Sequence, residues 1–259
     1  MTDAEDAHAE DAHAKDEGGG EPRPSAPRTA RERARAEITA EILEAARGYL
    51  ASDGAAALSL RAIARDLGMA SSALYRYFSS RDQLLTRLII DAYDSLGAAA
   101  EAAEAAVQRD DLAGRFTVIC AAVRAWALAH PNEYALIYGS PVPGYIAPAD
   151  TVRPASRVTT LLLRIIVEAA AAGRVPDADI RDAEAQPVAA ALAPIRSHLP
   201  RGVPAPVVQR ALMVWTNLFG LISFELFGQL HSVVGETPAD RETFFAESVR
   251  RWTAFTGIS

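Results

Sequence analysis

Seven polar side chains and one alanine between Ser59 and Arg81 have the types and spacing that suit contact with nucleic acid. They are Ser59, Ser71, Ser72, Ala73, Tyr75, Arg76, Tyr77 and Arg81. Hydroxyl and guanidinium groups form hydrogen bonds to phosphates and base edges, and small side chains let a backbone approach those edges. In this role no covalent bond is made or broken. The chemistry indicated is therefore reversible binding to DNA.

Two short helices joined by a glycine turn would present these side chains. Ser59 offers a hydroxyl to the free amides of a helix start, and Gly68 accepts the left-handed conformation that ends a helix. A second helix is predicted from about Ala70 to Tyr77. A third helix would begin at Ser80 and Gln83, which match a capping box. The pattern is that of a helix-turn-helix, although a plain helical hairpin has the same spacing. The apolar positions that define it are Leu60, Ile63, Ala64, Leu67, Leu74, Phe78, Leu84, Leu85, Leu88 and Ile89.

This segment resembles the DNA-binding domain of the TetR family of transcriptional regulators. The family pattern is approximately I-A-x-x-x-G-V-S-x-G-T-L-Y-x-H-F-x-x-K-x-x-L. The residues that match it in register are Ile63, Ala64, Gly68, Leu74, Tyr75, Phe78 and Leu84; Ser71 lies one position after the family Ser, where this chain has Ala70.

The departures from the family pattern bear on specificity. Ser72 and Ala73 stand where the family usually has Gly and Thr, so we expect base readout unlike that of typical members. Tyr77 replaces the frequent His and Arg81 the frequent Lys, and both keep phosphate-binding chemistry. We expect Ser71, Ser72 and Ala73 to face bases, and Arg76 suits either bases or phosphates. The residues expected on phosphates are Ser59, Tyr75, Tyr77 and Arg81.

The helical patterning and the resemblance together predict an all-α protein. Residues 1–27 would be a disordered acidic tail, because they are low in complexity and poor in apolar residues. Residues 28–87 would form the three-helix helix-turn-helix DNA-binding domain, and residues 88–259 a helical ligand-binding and dimerisation domain. Further helices are predicted at about 31–53, 80–106, 110–129, 131–138, 151–172, 206–233 and 238–256, with an interrupted helix between 175 and 204.

The charge distribution favours DNA although the net charge of the chain is −7. Residues 1–27 hold eight carboxylates against Lys15 and Arg23, whereas residues 28–87 hold ten arginines against seven carboxylates. The positive part of the chain therefore coincides with the helix-turn-helix, where phosphates must be neutralised. Arg31, Arg33 and Arg35 could track phosphates as an N-terminal arm, or form a solvated helix start.

Other classes of protein have weaker support. No nucleophile lies in a recognisable catalytic pattern, no phosphate-binding glycine loop occurs, and the single cysteine, Cys120, excludes an internal disulfide. We expect no enzymatic activity, no metal and no cofactor. His8 and His13 beside carboxylates could suggest a metal, but a flexible tail is a poor site. The acidic N-terminus lacks the pattern of a signal peptide, and charges interrupt each apolar run, so we expect a cytoplasmic protein without membrane spans.

The C-terminal part also resembles a subgroup of TetR regulators with a Trp-x-x-Leu-His-Gly signature. Trp215, Leu218 and Gly220 match it, but Phe219 replaces the histidine. The resemblance implies dimerisation through the last two helices and a small-molecule pocket. Glu225, inside an apolar helix, would face solvent, pair with an arginine or mark the site. The candidate ligand-binding residues are Phe116, Arg124, Trp126, Tyr134, Tyr138, Trp215 and Phe219; Tyr145, Asn217 and Phe224 lie in the same part of the chain. Their alternative role is plain core or dimer interface.

These observations predict a homodimeric repressor that binds a palindromic operator and is released by a small apolar or aromatic effector. One alternative is an architectural DNA-binding protein without an effector. A cavity lined by Trp126, Tyr138 and Trp215 would favour the first, and a solidly packed bundle the second. An all-α enzyme is the remaining alternative.

Overall fold

A computed structural model of the chain describes residues 29–174, 188–197 and 202–258, and every regular element within these ranges is a helix. The predicted tail, 1–27, lies outside the described residues, as does most of the segment between 175 and 204. Contacts divide the chain into one unit up to Ile38 and a second from Thr39 onward. The described part of the first unit, residues 29–38, begins the helix α1, Ala30–Asp53.

The start of α1 is fixed by a reciprocal pair of hydrogen bonds. The backbone amide of Glu32 donates to the Thr29 hydroxyl (3.2 Å), and the amide of Thr29 donates to the Glu32 carboxylate (2.8 Å). Such a capping box satisfies two amides that the helix leaves unpaired. Arg31, Arg33 and Arg35 therefore lie within the first turns of α1, where their side chains are exposed.

Three further elements complete the predicted helix-turn-helix. After a 3-10 turn at Ala55–Ala57, α2 covers Leu60–Asp66 and α3 covers Ser71–Leu74. The Ser59 side chain caps α2 by accepting from the Ala62 amide at 3.4 Å. Gly68 has φ +65°, the left-handed turn that the sequence predicts between the two helices.

Two local predictions here were wrong in detail. The regular part of α3 ends at Leu74, not Tyr77. The backbone amides of Arg76 and Tyr77 donate to carbonyl oxygens three residues earlier in the chain, which tightens this segment into a turn. Ser80 does accept from the Gln83 amide (3.1 Å), but Gln83 returns its bond to the Ser79 amide (2.6 Å). The box thus closes one residue earlier than predicted.

The connector helix and its neighbours follow the predicted boundaries closely. α4 covers Arg81–Ala105, α5 covers Leu112–Ala129 with Asp111 as its cap, and α6 covers Pro131–Tyr138. The helix predicted over 151–172 is broken into a 3-10 turn, Ala149–Thr151, then α7, Val152–Ala155, and α8, Arg157–Ala171. At the break the Ser156 hydroxyl donates to the Arg153 carbonyl, a local bond that competes with the helix.

The C-terminal helices end the described structure. Two short helices, α9, Val188–Ala191, and α10, Ala193–Arg196, precede α11, Ala205–Leu226, and α12, Pro238–Thr256. The prediction carried α11 on to Val233. It ends earlier because Gly228 takes φ +83° and Ser232 takes φ +60°, conformations that a helix cannot continue.

The main core lies where α4, α5, α8, α11 and α12 pack together. Its centre is apolar and fully buried, with Leu96, Phe116, Ile119, Leu162 and Leu218 at or near zero exposure. Among the described residues, α5 and α11 are long and apolar enough to cross a membrane. That finding is weak, because core helices pass the same test, and both helices contribute to this core.

Ion pairs join α4 to α5 and α8. The fully buried guanidinium of Arg115 donates to Glu104 (2.7 and 3.0 Å) and to Glu168 (2.6 Å). Arg157 crosses Gly97 and pairs with both Asp94 and Glu101. A Cβ at position 97 would lie 2.6 Å from the Arg157 Nε, so the glycine is needed for this close approach.

Candidate nucleic-acid interface

The second helix of the helix-turn-helix has one buried and one exposed side. Leu74 and Phe78 are buried in the domain, as predicted. Ser71 and Ser72 are exposed, Ala73 is half-buried, and Tyr75 is a large hydrophobic residue with 44% of its surface exposed. Hydroxyls at the start of this helix therefore face outward beside a phenol, an arrangement suited to contact with a DNA groove.

The remaining predicted DNA contacts lie at the edges of this face. Arg76 is exposed and Tyr77 is half-buried. The Ser59 hydroxyl is the cap of α2, so it already accepts one hydrogen bond from the protein. A hydroxyl keeps a donor in that state, so capping and a phosphate contact are compatible.

Arg81 has a role inside the domain that sequence reasoning missed. Its guanidinium donates to the carbonyl oxygens of Ala55 (2.9 Å), Ala56 (3.2 Å) and Leu58 (3.2 Å). These bonds fasten the turn before α2 to the start of α4. An arginine fork satisfies several acceptors in a fixed geometry, so Arg81 is suited to bracing this turn.

Four of the predicted ligand-binding aromatic residues form one cluster in the core. Tyr138 stacks on Phe219 with ring centroids 4.2 Å apart. The ring centroid of Tyr134 lies 5.1 Å from that of Tyr138, and the ring centroid of Trp215 lies 5.8 Å from that of Phe219. Phe116 and Tyr134 are fully buried. Burial raises the pKa of Tyr134 to about 12, so its phenol stays neutral and donates to the Phe219 carbonyl at 3.0 Å.

Three polar groups among the candidate ligand-binding residues differ in how they are paired. Arg124 forms two hydrogen bonds to Glu225, of 2.8 and 2.6 Å, so pairing with an arginine is the correct one of the three predicted roles of Glu225. The Trp126 indole N–H donates to the Ser95 hydroxyl (2.9 Å). By contrast, the buried indole nitrogen of Trp215 has no hydrogen-bond partner within the described ranges.

Residues of the second unit that the structure describes line three surface clefts. One of about 540 Å³ lies between α1, α4 and α6, and a neighbour of about 330 Å³ lies against the 140–143 loop. A third, of about 420 Å³, lies between α11 and α12. Trp126 lines the first cleft, but neither Tyr138 nor Trp215 lines any of the three. The predicted set of ligand residues is thus divided between a packed cluster and a separate cleft.

Cys120 and His130 lie in different surroundings. Cys120 is fully buried in the core, and burial raises the pKa of its thiol, which disfavours the thiolate nucleophile. The His130 ring stacks on Trp126 with centroids 5.0 Å apart. Within the described residues, no three side chains of the metal-binding types gather into a group.

A helix-turn-helix with an outward polar face, carried on an all-helical body, defines a DNA-binding transcriptional regulator. Comparison with known proteins gives the family. Residues 42–88 match the family model described as bacterial regulatory proteins, tetR family, and residues 116–252 match the tetracyclin repressor-like C-terminal domain. The chain belongs to the TetR family of transcriptional regulators.

Its relatives include named regulators. The chain is 44% identical over 204 residues to the HTH-type transcriptional regulators Rv1816 of Mycobacterium tuberculosis and Mb1846 of Mycobacterium bovis, which covers 77% of this chain and 85% of each relative. Among solved structures, the regulatory protein SCO4313 is 36% identical, with a TM-score of 0.71 over 87% of this chain and all of the other. A tetR-family regulatory protein from Rhodococcus RHA1, 19% identical, has a TM-score of 0.54 over 86% of this chain and 98% of its own, and supports the fold alone.

Proposed function

We propose that this regulator binds a palindromic operator as a homodimer and represses transcription until a small effector releases it. The observation that carries DNA recognition is the exposed start of α3, where Ser71 and Ser72 face outward above the buried Leu74. Two-fold protein symmetry calls for two matching half-sites, about one helical turn of DNA or more apart. DNA binding in a bacterial regulator also supports a location in the cytoplasm and a role without catalysis.

The residues of this face have different roles. Ser71, Ser72 and Ala73 read bases, whereas Ser59, Tyr75 and Tyr77 position the domain on phosphates. Arg76 serves either purpose. For Arg81 the phosphate role remains a prediction, but its three bonds to backbone carbonyls support bracing as a competing role.

Selection from a random DNA pool tests this proposal directly. The full-length protein should enrich an inverted repeat, and footprinting should cover both half-sites. Replacing Tyr75 by Ala should weaken binding to all sequences alike, because phosphate contacts carry no sequence information. Replacing Ser72 by Gly, the usual family residue, should change the preferred base. An unchanged preference in the Ser72→Gly selection would show that the reading face lies elsewhere.

The dimer would form through α11 and α12. Met213, Phe224, Phe244 and Phe255 on these helices are exposed, and a cleft lies between them beside Gly220 and Trp252. Large apolar side chains gathered on one surface are typical of a protein interface. Residues 88–259 would then serve both ligand binding and dimerisation.

Two observations bear on the effector in different directions. The buried, unpaired N–H of Trp215 supports a ligand that brings a hydrogen-bond acceptor, because an unsatisfied buried donor is costly. The ring-to-ring packing of Tyr134, Tyr138 and Phe219 supports the alternative of an architectural DNA-binding protein without an effector. Replacing Trp215 by Phe tests the first: it should weaken release of the operator by the effector if the N–H binds the ligand. A protein that no small molecule releases from its operator would instead support the architectural alternative.

A further inference from the structure

Two neighbouring clefts between α1 and α6 lie side by side. The lobe of about 540 Å³ and the lobe of about 330 Å³ share Leu50, Asn132 and Leu136, so they meet along one wall. We call the pair the α1–α6 groove. Each lobe has the volume of a site for a small molecule, about 300 to 1,000 Å³. The groove touches neither Tyr138 nor Trp215 and is therefore distinct from the aromatic cluster.

The larger lobe carries an excess of negative charge. Glu44, Asp91 and Glu133 line it together with a single arginine, Arg47. Arg47 lies 3.1 Å from Glu44 and 3.7 Å from Asp91, and Arg87 pairs with Asp91 at 2.7 Å. Glu133 has no ion-pair partner in the part of the chain that the structure describes. The lobe thus offers one carboxylate that an incoming cation would satisfy.

A glycine and an aromatic pair shape the walls of this lobe. A Cβ at Gly48 would meet no atom within 4 Å, so packing does not explain a glycine inside α1, where it weakens the helix relative to alanine. Its effect is to leave the groove open. Trp126, held by its bond to Ser95 and stacked on His130, supplies an aromatic surface in the same lobe. Aromatic surfaces attract cations.

The smaller lobe is mostly apolar. Its wall consists of Leu50 and residues 54–56 on one side, and of Ala135, Leu136 and the 140–143 loop on the other. Removal of an alkyl chain from water favours its burial along such a surface. One molecule that spans both lobes would therefore have a charged head and an apolar chain.

We propose that the α1–α6 groove binds an organic cation with an apolar chain. The ammonium group lies among Glu44, Asp91 and Glu133, and the chain runs past Leu50 and Leu136 to the 140–143 loop. One wall of the groove belongs to α1 and the turn that Arg81 fastens, and the opposite wall to α6 and its loop. An occupant changes the spacing of these walls and hence the position of α3. This coupling rests on the proposed DNA-binding function, whereas the binding of the cation does not.

Calorimetric titration of the full-length protein with octyltrimethylammonium tests the site. Octanoate and 1-octanol are the matched anionic and neutral probes, and the cation should bind more tightly than either. Replacing Glu133 by Gln should weaken cation binding about threefold or more, as expected for one partly exposed ion pair. Replacing Gly48 by Leu should block binding while keeping a stable helix. The controls are Glu41→Gln and Ala40→Leu, exposed positions of α1 outside the groove, which should bind the cation like the unaltered protein.

The possible results separate the site from its function. Equal binding of the three probes, tighter binding of octanoate, or no effect of Gly48→Leu would overturn the proposed site. Cation binding that leaves the affinity for the selected operator unchanged would overturn the coupling between the groove and α3, but it would still support the proposed site. If no operator can be selected, the DNA-binding proposal fails, and calorimetry still decides whether the groove takes the cation.

Discussion

At the scale of single residues, the pair of Arg124 and Glu225 joins α5 to α11 inside the C-terminal core. Their side chains are only 14% and 6% exposed, and two hydrogen bonds connect them. The hydrogen bonds that Arg124 donates to the Glu225 carboxylate also hold the pKa of Arg124 above its usual value. Replacing Glu225 by Gln leaves a buried guanidinium without its counter-charge, so we expect the free energy of unfolding to fall by about 3 kcal/mol.

Denaturant unfolding followed by circular dichroism measures this loss. The matched control is Glu247→Gln on the surface of α12, whose exposed carboxylate pairs with Arg250 and Arg251. This control should unfold like the unaltered protein, because exposed pairs contribute little. Equal stability of the Glu225→Gln protein would mean that the arginine finds another partner or enters water.

The double role of Arg81 gives a second prediction at this scale. Replacing Arg81 by Lys keeps the charge but loses the fork that spans Ala55, Ala56 and Leu58. If the residue braces the turn, the Lys protein should lose about 2 kcal/mol of stability. Its salt dependence of operator binding should not change. Both are measured on one purified variant, by unfolding and by titration of DNA at several salt concentrations.

A phosphate role for Arg81 predicts the opposite pattern. Replacement by Met would then reduce the slope of log affinity against log salt by about 0.9, the contribution of one phosphate contact. Stability would be preserved, and the Lys variant would bind DNA like the unaltered protein. The comparison of Lys and Met therefore distinguishes a brace from a DNA contact.

At the scale of elements, replacing a helical glycine by alanine should affect stability differently at two positions. Gly48 in α1 has open space where a Cβ would lie, whereas at Gly97 in α4 a Cβ would lie 2.6 Å from the Arg157 Nε. Replacing Gly48 by Ala should raise the free energy of unfolding by about 0.5 to 1 kcal/mol, because alanine favours helix. Replacing Gly97 by Ala should give no gain, because the methyl group displaces Arg157 from Asp94 and Glu101.

Thermal unfolding of the two variants side by side checks this prediction. Similar stabilisation of both proteins would mean that Arg157 moves aside without loss, and that its ion pairs do not hold α8 against α4. The pKa of Glu101 provides an independent readout, because hydrogen bonds from Arg157 hold it below its usual value in the unaltered protein. In the Gly97→Ala protein it should return towards that value.

The elements also show which parts of the fold the sequence could predict. The first turns of α5, α6 and α12 depend on local signals. These are the Asp111 cap, Pro131, and the capping box of Thr237 and Asp240. Such signals act within a few residues, so reading along the chain finds them. The predicted α11 was too long because its apolar pattern continues past Gly228, and the left-handed conformation of that glycine ends the helix.

The ion pairs between α4, α5 and α8 could not be predicted from the sequence for a different reason. Arg115 and Glu168 are 53 positions apart in sequence, and only packing of α5 against α8 brings them together. One signal was present: Asp94 and Glu101 repeat at seven residues, as do Arg157 and Arg164, so each pair lies on one helix face. The bracing bonds of Arg81 had no such signal, because their acceptors are backbone carbonyls.

At the scale of the whole molecule, the proposed dimer links the C-terminal helices to DNA affinity. Phe224 on α11 is 55% exposed, and replacing it by Glu places a charge on the proposed apolar interface. We expect the Phe224→Glu protein to sediment as a monomer. It should lose operator affinity at least tenfold, because a monomer engages only one half-site.

A substitution elsewhere on the surface provides the control. Ile146, 89% exposed in the loop after α6, is replaced by Glu to add the same charge outside α11 and α12. Sedimentation equilibrium and DNA titration should find this protein unchanged. If Ile146→Glu dissociates the protein and Phe224→Glu does not, the subunits meet through the loop.

The burial of Cys120 has a practical consequence for following motion in this molecule. The only cysteine of the chain is fully enclosed, and its thiol has a raised pKa, so labelling reagents that need an exposed thiolate will react slowly with it. A single cysteine introduced at the exposed position 72 or 76 would thus take a spin label selectively. In a symmetric assembly the distance between two such labels would report the separation of the two copies of α3 in solution, with and without a candidate effector.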